Sequence, residues 1–164
     1  MIKIKQISRF HIAGLLLACV IIFIDQWTKQ AIISMAESQG LPFTVCSVFE
    51  LVLLYNKGIS FGMLHGSEAW VVPAITLATS LIVLVIIFLF IREKEPIVII
   101  AFSFIIGGAI GNIIDRLTIG SVVDFLHFHW ENYYFPAFNV ADSSIFIGVA
   151  LFILSNIISP KNKE

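Results

Sequence analysis

Three stretches of this chain, Trp70 to Ile91, Ile97 to Ile114 and Val140 to Ser159, are long and apolar enough to cross a lipid bilayer, with Asp142 their only charge. A spanning helix needs about 20 such residues. A fourth stretch starts at Ile12, stays uncharged to Ile24, then carries Asp25 and Lys29; continued to Ile33 it also spans, with a polar end. At 59% hydrophobic and 13% charged over 164 residues, the chain is excluded from the ordinary soluble domains. The expected fold is an all-α membrane protein, a single integral domain over 1–164. Its four transmembrane helices fall near 11–33, 70–91, 97–114 and 140–159, joined outside the bilayer by segments 34–69 and 115–139.

Arg92-Glu93-Lys94-Glu95-Pro96 reads as a plain turn between two helices. The other two connections are longer. From Glu37 to Gly66, Val45, Val48, Phe49 and Leu51 to Leu54 are followed by Gly58, Gly62 and Gly66, a pattern of short strands. Open strand edges are not tolerated in hydrocarbon, so a small β-rich segment is expected on the interface. The segment from Asp115 to Asn139 is expected there as a loop. Ser103, Gly107 and Gly111 recur every four residues, the spacing that lets helices pack closely.

Four spans put both termini and the Arg92–Pro96 turn on one side, which then carries Lys3, Lys5, Arg9, Arg92, Lys94, Lys161 and Lys163. Positive charge marks the cytoplasmic side. All three Trp and all three Tyr then fall on the external side, as do all four Asp. The basic start and apolar run imitate a secretory signal, but Ser34-Met35-Ala36 lies too far beyond the run for a cleavage site, so the segment is read as a retained helix. A net charge of −1 gives no footprint for nucleic acid. Cys19 and Cys46 lie in different environments and are not expected to pair.

A carboxylate beside hydrocarbon is costly to ionise and is rarely kept without a task. Asp25 and Lys29 share a helix face at i,i+4. They are either a neutralised pair at a helix end or part of a site. Gly111-Asn112-Ile113-Ile114-Asp115-Arg116 ends the third span with three polar groups on neighbouring positions. Asp124 and Asp142 are too far apart for one helix face, yet meet if the intervening loop folds back. Asn139 is placed to cap the fourth helix, whose dipole favours an anion at Asp142. Two close carboxylates share one proton, so one member can deprotonate a water while the other polarises a carbonyl. His127-x-His129 with Asp124 is a thin match to a metal site; interfacial polar residues account for it better. A proton-coupled transporter would need polar steps across the bilayer, and the acids gather at one face.

Together, Asp25-Gln26-Trp27-Thr28-Lys29, Asn56-Lys57-Gly58-Ile59-Ser60-Phe61-Gly62, Gly111 to Arg116, Val122-Val123-Asp124-Phe125 and Phe135-Pro136-Ala137-Phe138-Asn139-Val140-Ala141-Asp142-Ser143 resemble lipoprotein signal peptidase (signal peptidase II), the bacterial membrane aspartic peptidase family. The resemblance implies that Asp124 and Asp142 form the catalytic dyad. It implies that Asn56, Asn112, Arg116, Asn139 and Ala141 line or support the site, with Asp25, Lys29, Gly108 and Asp115 around it. It further implies cleavage of prolipoproteins before a diacylglyceryl-modified cysteine, inhibition by globomycin-type peptides, contact with membrane phospholipid, no metal or other cofactor, and a monomer in the bacterial cytoplasmic membrane. Ile59-Ser60 stands where the family more often has two alanines.

Overall fold

The structure, a computed structural model, describes residues 8–58 and 70–158. Residues 59–62 of the Asn56–Gly62 motif, Gly66, the terminal lysines and Ser159 lie outside the described residues. Four helices are long and apolar enough to cross a membrane: α1 (Arg9–Gln39), α2 (Val71–Arg92), α3 (Pro96–Thr118) and α4 (Val140–Ile158). Strands β1 (Phe43–Cys46), β2 (Phe49–Asn56), β3 (Val122–Trp130) and β4 (Tyr133–Tyr134) form one antiparallel sheet in that order.

α3 is the central helix, with α1, α2 and α4 packed around it. Its sequence explains why. In lipid, helices gain little from hiding apolar surface and associate where small residues admit close contact. A Cβ on Gly107 would lie 3.0 Å from the Ala18 carbonyl oxygen of α1, and one on Gly108 would collide with the Ala141 carbonyl oxygen of α4. Away from the sheet, Ala18, Phe90, Val98, Ile99, Phe102 and Ile106 fill an apolar core. Large side chains such as Phe23, Leu77 and Phe146 stay exposed, as they do when the surroundings are lipid.

Local signals set the helix ends. Ser8 caps α1 in a reciprocal box with His11, whose Nε2 lies 3.1 Å from the Phe90 carbonyl oxygen and ties α1 to the end of α2. Pro96 opens α3, where a missing N–H costs nothing. Gly120, at φ +79°, takes the left-handed conformation that stops it.

Two boundaries differ from the sequence expectation. α1 continues through Gln39, so residues 34–39 are helical. At 31 residues it is about 46 Å long, well beyond a hydrocarbon core of about 30 Å, and its protruding part packs against β2 and β3. α3 continues past Ile114 to Thr118, so Asp115 and Arg116 belong to the helix and not to the loop. The segment expected as a loop also contains β3, whose Val-Val-Asp-Phe-Leu-His-Phe-His-Trp run pairs with β2 from Asn56↔Val122 to Phe49↔Phe128.

Candidate active site

β3 and α4 bring Asp124 and Asp142 together. Val122 and Val123 are buried where β3 leaves α3, which sets Asp124, 4% exposed, at the foot of the bundle. Phe138 then bonds back to Leu126 through N–H···O bonds of 3.1 and 2.8 Å, returning the chain beside β3 before α4 begins. Asn139 caps α4: its Oδ1 accepts the Asp142 N–H at 2.9 Å, and its own N–H donates to Asp142 Oδ2 at 3.3 Å. This is a capping box whose acidic member is the candidate catalytic residue. The same Asn139 donates from Nδ2 to Asp124 Oδ1 at 2.8 Å. One fully buried asparagine therefore touches both carboxylates.

Each of the four carboxylate oxygens holds one amide donor. Asn56 Nδ2, at the end of β2, donates to Asp124 Oδ2 at 2.9 Å, and Asn112 Nδ2 donates to Asp142 Oδ1 at 2.8 Å. The amide orientations are forced, because each asparagine oxygen faces a group that can only donate. Asn56 Oδ1 accepts the Gly58 N–H at 2.7 Å, Asn112 Oδ1 accepts Lys29 Nζ at 3.1 Å, and Asn139 Oδ1 accepts the Asp142 N–H. Gly58, at φ +82°, makes the turn that delivers its N–H. Burial pushes the Asp124 carboxyl up to about 6; the neighbouring Asp142 charge adds to this, and the Asn56 and Asn139 bonds and Lys29 oppose it.

Beside the pair lies a buried ionic cluster. Lys29 Nζ is 2.8 Å from Asp25 Oδ2 and 2.8 Å from Asp115 Oδ2. Asp25 Oδ1 accepts the Ala141 N–H at 2.8 Å, and Asp115 Oδ2 accepts the Val123 N–H at 3.1 Å. Asp25 and Lys29 form the neutralised pair and are joined to the two carboxylates' surroundings through Asn112 and Ala141. Gln26, which sequence reasoning passed over, joins them: its Nε2 donates to Asp115 Oδ1 at 2.8 Å and to Asp25 Oδ2 and the Gly111 carbonyl at 3.2 Å. Its signal was a third polar residue within one turn of an otherwise apolar run. Gly108 and Gly111 are the close-approach positions; a Cβ on Gly111 would stand 2.6 Å from Asp25 Oδ2.

Arg116 lies within electrostatic reach of Asp142, Asp115 and Asp124. It is not bonded to the Asn112 side chain, as an i,i+4 pair would be; its Nη1 reaches the Asn112 carbonyl at 3.4 Å, and its buried Nε has no partner among the described residues. His127 and His129 point to the opposite strand face from Asp124. His127 Nδ1 is 2.7 Å from Glu50, and both rings stack on Tyr134. Among the described residues no three His, Cys, Asp or Glu side chains are placed to hold a metal. Cys19 and Cys46 are both free. A groove of about 560 Å³ opens along Phe135, Phe138, Phe146 and Ile147, with Asp142 in its wall.

The profile of the family described as "Signal peptidase (SPase) II" matches residues 17–158. A "Lipoprotein signal peptidase" of Syntrophotalea carbinolica is 41% identical over 154 residues, covering 92% of this chain and 93% of the relative. One from Neisseria meningitidis serogroup C is 38% identical over 153 residues, covering 90% of each. Among solved structures, a "Bacterial membrane enzyme structure by the in meso method at 1.9 A resolution" superposes with a TM-score of 0.74 at 32% identity, covering 93% of this chain and 94% of that one.

Proposed function

The chain belongs to the signal peptidase II family, and from that premise we propose that Asp124 and Asp142 are its catalytic dyad. The protein is an aspartic endopeptidase that removes the signal peptide from prolipoproteins, cleaving before the diacylglyceryl-modified cysteine. The observation that carries the dyad is Asn139, which touches both carboxylates, while among the described residues each of their oxygens has one donor and so a lone pair left for a water or a shared proton. Asp124, pushed up to about 6 by burial, holds the shared proton and donates it toward the scissile carbonyl. Asp142, at the positive end of the α4 dipole, takes the proton from the attacking water. That proton then passes to the leaving amine as the C–N bond breaks, and the re-forming carbonyl returns its proton to Asp124. Arg116, whose Nε has no partner among the described residues, binds the anionic or carbonyl face of the substrate. The apolar groove beside Asp142 receives part of the lipidated segment.

It is a multi-pass bacterial membrane protein. Its place is the cytoplasmic membrane, with both termini cytoplasmic and the dyad on the external side, supported by the basic residues at the other end. Exposed Trp27, Trp70, Trp130, Tyr133 and Tyr134 gather at the sheet end, where headgroup contact is expected. Globomycin-type peptides inhibit it and the monomer is the working unit, readings that rest on the family resemblance. The test is cleavage of a diacylglyceryl-modified prolipoprotein by purified protein in detergent with EDTA present. Cleavage by wild type and by Glu131→Gln, and none by Asp124→Asn or Asp142→Asn, is expected. Turnover by either aspartate variant would sink the dyad, and loss caused by EDTA would reopen a metal route.

A further inference from the structure

We infer that Lys29 is the positioning residue of the dyad, fixing the Asn112 amide that serves Asp142 and the spacing of the two backbone segments that carry the carboxylates. The inference rests on the dyad reading above. Lys29 is 2% exposed, and its three N–H bonds are all spent, on Asp25, Asp115 and Asn112. None remains for a substrate, so it acts only through these neighbours.

Two features give that arrangement consequences. Four donors hold the asparagine oxygens: Gly58 N–H, Asp142 N–H and, both on Asn112, Lys29 Nζ and Asn139 Nδ2. The first two are backbone and Asn139 bonds both carboxylates, so Lys29 is the pin on Asn112 that a side-chain change removes without touching either of them. Without it the Asn112 oxygen keeps only the 3.2 Å bond from Asn139, and the amide that serves Asp142 is held less firmly. In addition, the two carboxylates Lys29 holds each grip a peptide N–H. Asp25 takes that of Ala141 and Asp115 that of Val123, the residues just before Asp142 and Asp124. A single ammonium thus sets how far apart the dyad's two supports stand. Lys29 is also within electrostatic reach of Asp124, which feels Asp142, and Arg116 feels Asp115, Asp124 and Asp142.

The competing role is plain neutralisation of two buried acids. Lys29→Met/Asp25→Asn separates the two, because it removes one positive and one negative charge and leaves an amide oxygen for the Ala141 N–H. Purified full-length variant and wild type would be compared for thermal unfolding, then for cleavage of the diacylglyceryl-modified prolipoprotein, with kcat, KM and the pH profile read separately. A folded variant whose kcat falls about 100-fold, with KM little changed and the pH profile displaced, is expected. Wild-type kcat and profile in that variant would overturn the inference. If the pair does not fold, Asp115→Asn, which weakens the Lys29 grip and with it the Val123 support while leaving Lys29 and Asp25 in place, is expected to lose about tenfold in kcat; an unchanged kcat overturns the inference equally. Failure of wild type to cleave, or cleavage by Asp124→Asn, would instead bring down the dyad reading and this inference with it.

Discussion

The two ends of this bundle bury polar atoms in different ways. At the Ser8 end one histidine ties α1 to α2 through a single carbonyl, and a conventional apolar core does the rest. At the sheet end Asp25, Lys29, Asn112, Asp115, Asp124 and Asn139 are all buried and every one is bonded to another. The first end tolerates independent changes, because each apolar side chain loses only its own contacts. The second is interlocked, and removing one partner leaves others unsatisfied in a low-dielectric site.

The sharpest contrast comes from the dyad. Asp124→Asn or Asp142→Asn should cut cleavage at least about 10³-fold while the thermal midpoint in detergent holds. A large loss of fold would show that the pair is structural. Next come two glycines. Gly108→Ala drives a methyl into the Ala141 carbonyl, which cannot rotate away, and should lower kcat about 100-fold by moving the head of α4. Gly14→Ala, at the other end, meets only side chains, the Ser103 hydroxyl bonded to the Ile99 carbonyl and the Phe90 and Ile99 side chains; cleavage should stay near wild type at a stability cost of about 2 kcal/mol. Equal activity losses in both would erase the distinction between the ends. Ile99→Ala should destabilise by about 3 kcal/mol through a cavity, read as a lower thermal midpoint with kcat unchanged.

The smallest effect is a titration. The Asp124 carboxyl sits at about 6 in the fold against 3.8 in the unfolded chain, so the folded state binds the proton more tightly. Its stabilising contribution is complete below 3.8 and is lost as pH rises through about 6. About 1 kcal/mol should disappear between pH 5 and 7, measured as a falling thermal midpoint that Asp124→Asn no longer shows. As Asp124 holds the shared proton, kcat/KM should decline over the same range; a rate that climbs there would reverse the roles given to the two aspartates.

What the chain displayed in advance was mostly local. Spans are written in apolar runs, and the Asn139 cap follows from an asparagine three residues ahead of an aspartate. The pairing of Asp124 with Asp142 came from family motifs, since spacing alone allowed it without requiring it. Less visible was whatever depended on a distant partner. β3 becomes a strand because β2 is beside it, and α3 carries Asp115 inward because Lys29 of α1 waits there. Gln26 reads as one more polar residue until α3 supplies its acceptors.

The capping box that Asn139 and Asp142 form at the head of α4 bears on the order in which the chain is made. Lys29 and Asn56 emerge early, Asn112 and Asp124 later, and Asp142 opens the helix synthesised last of the four. Until α4 starts, Asn139 has no N–H to accept, Asn112 no carboxylate to serve and Asp25 no Ala141 to hold. A nascent chain stalled at any earlier point carries no half-working version of the site. A ribosome can thus release fragments of this peptidase into the membrane without releasing its activity.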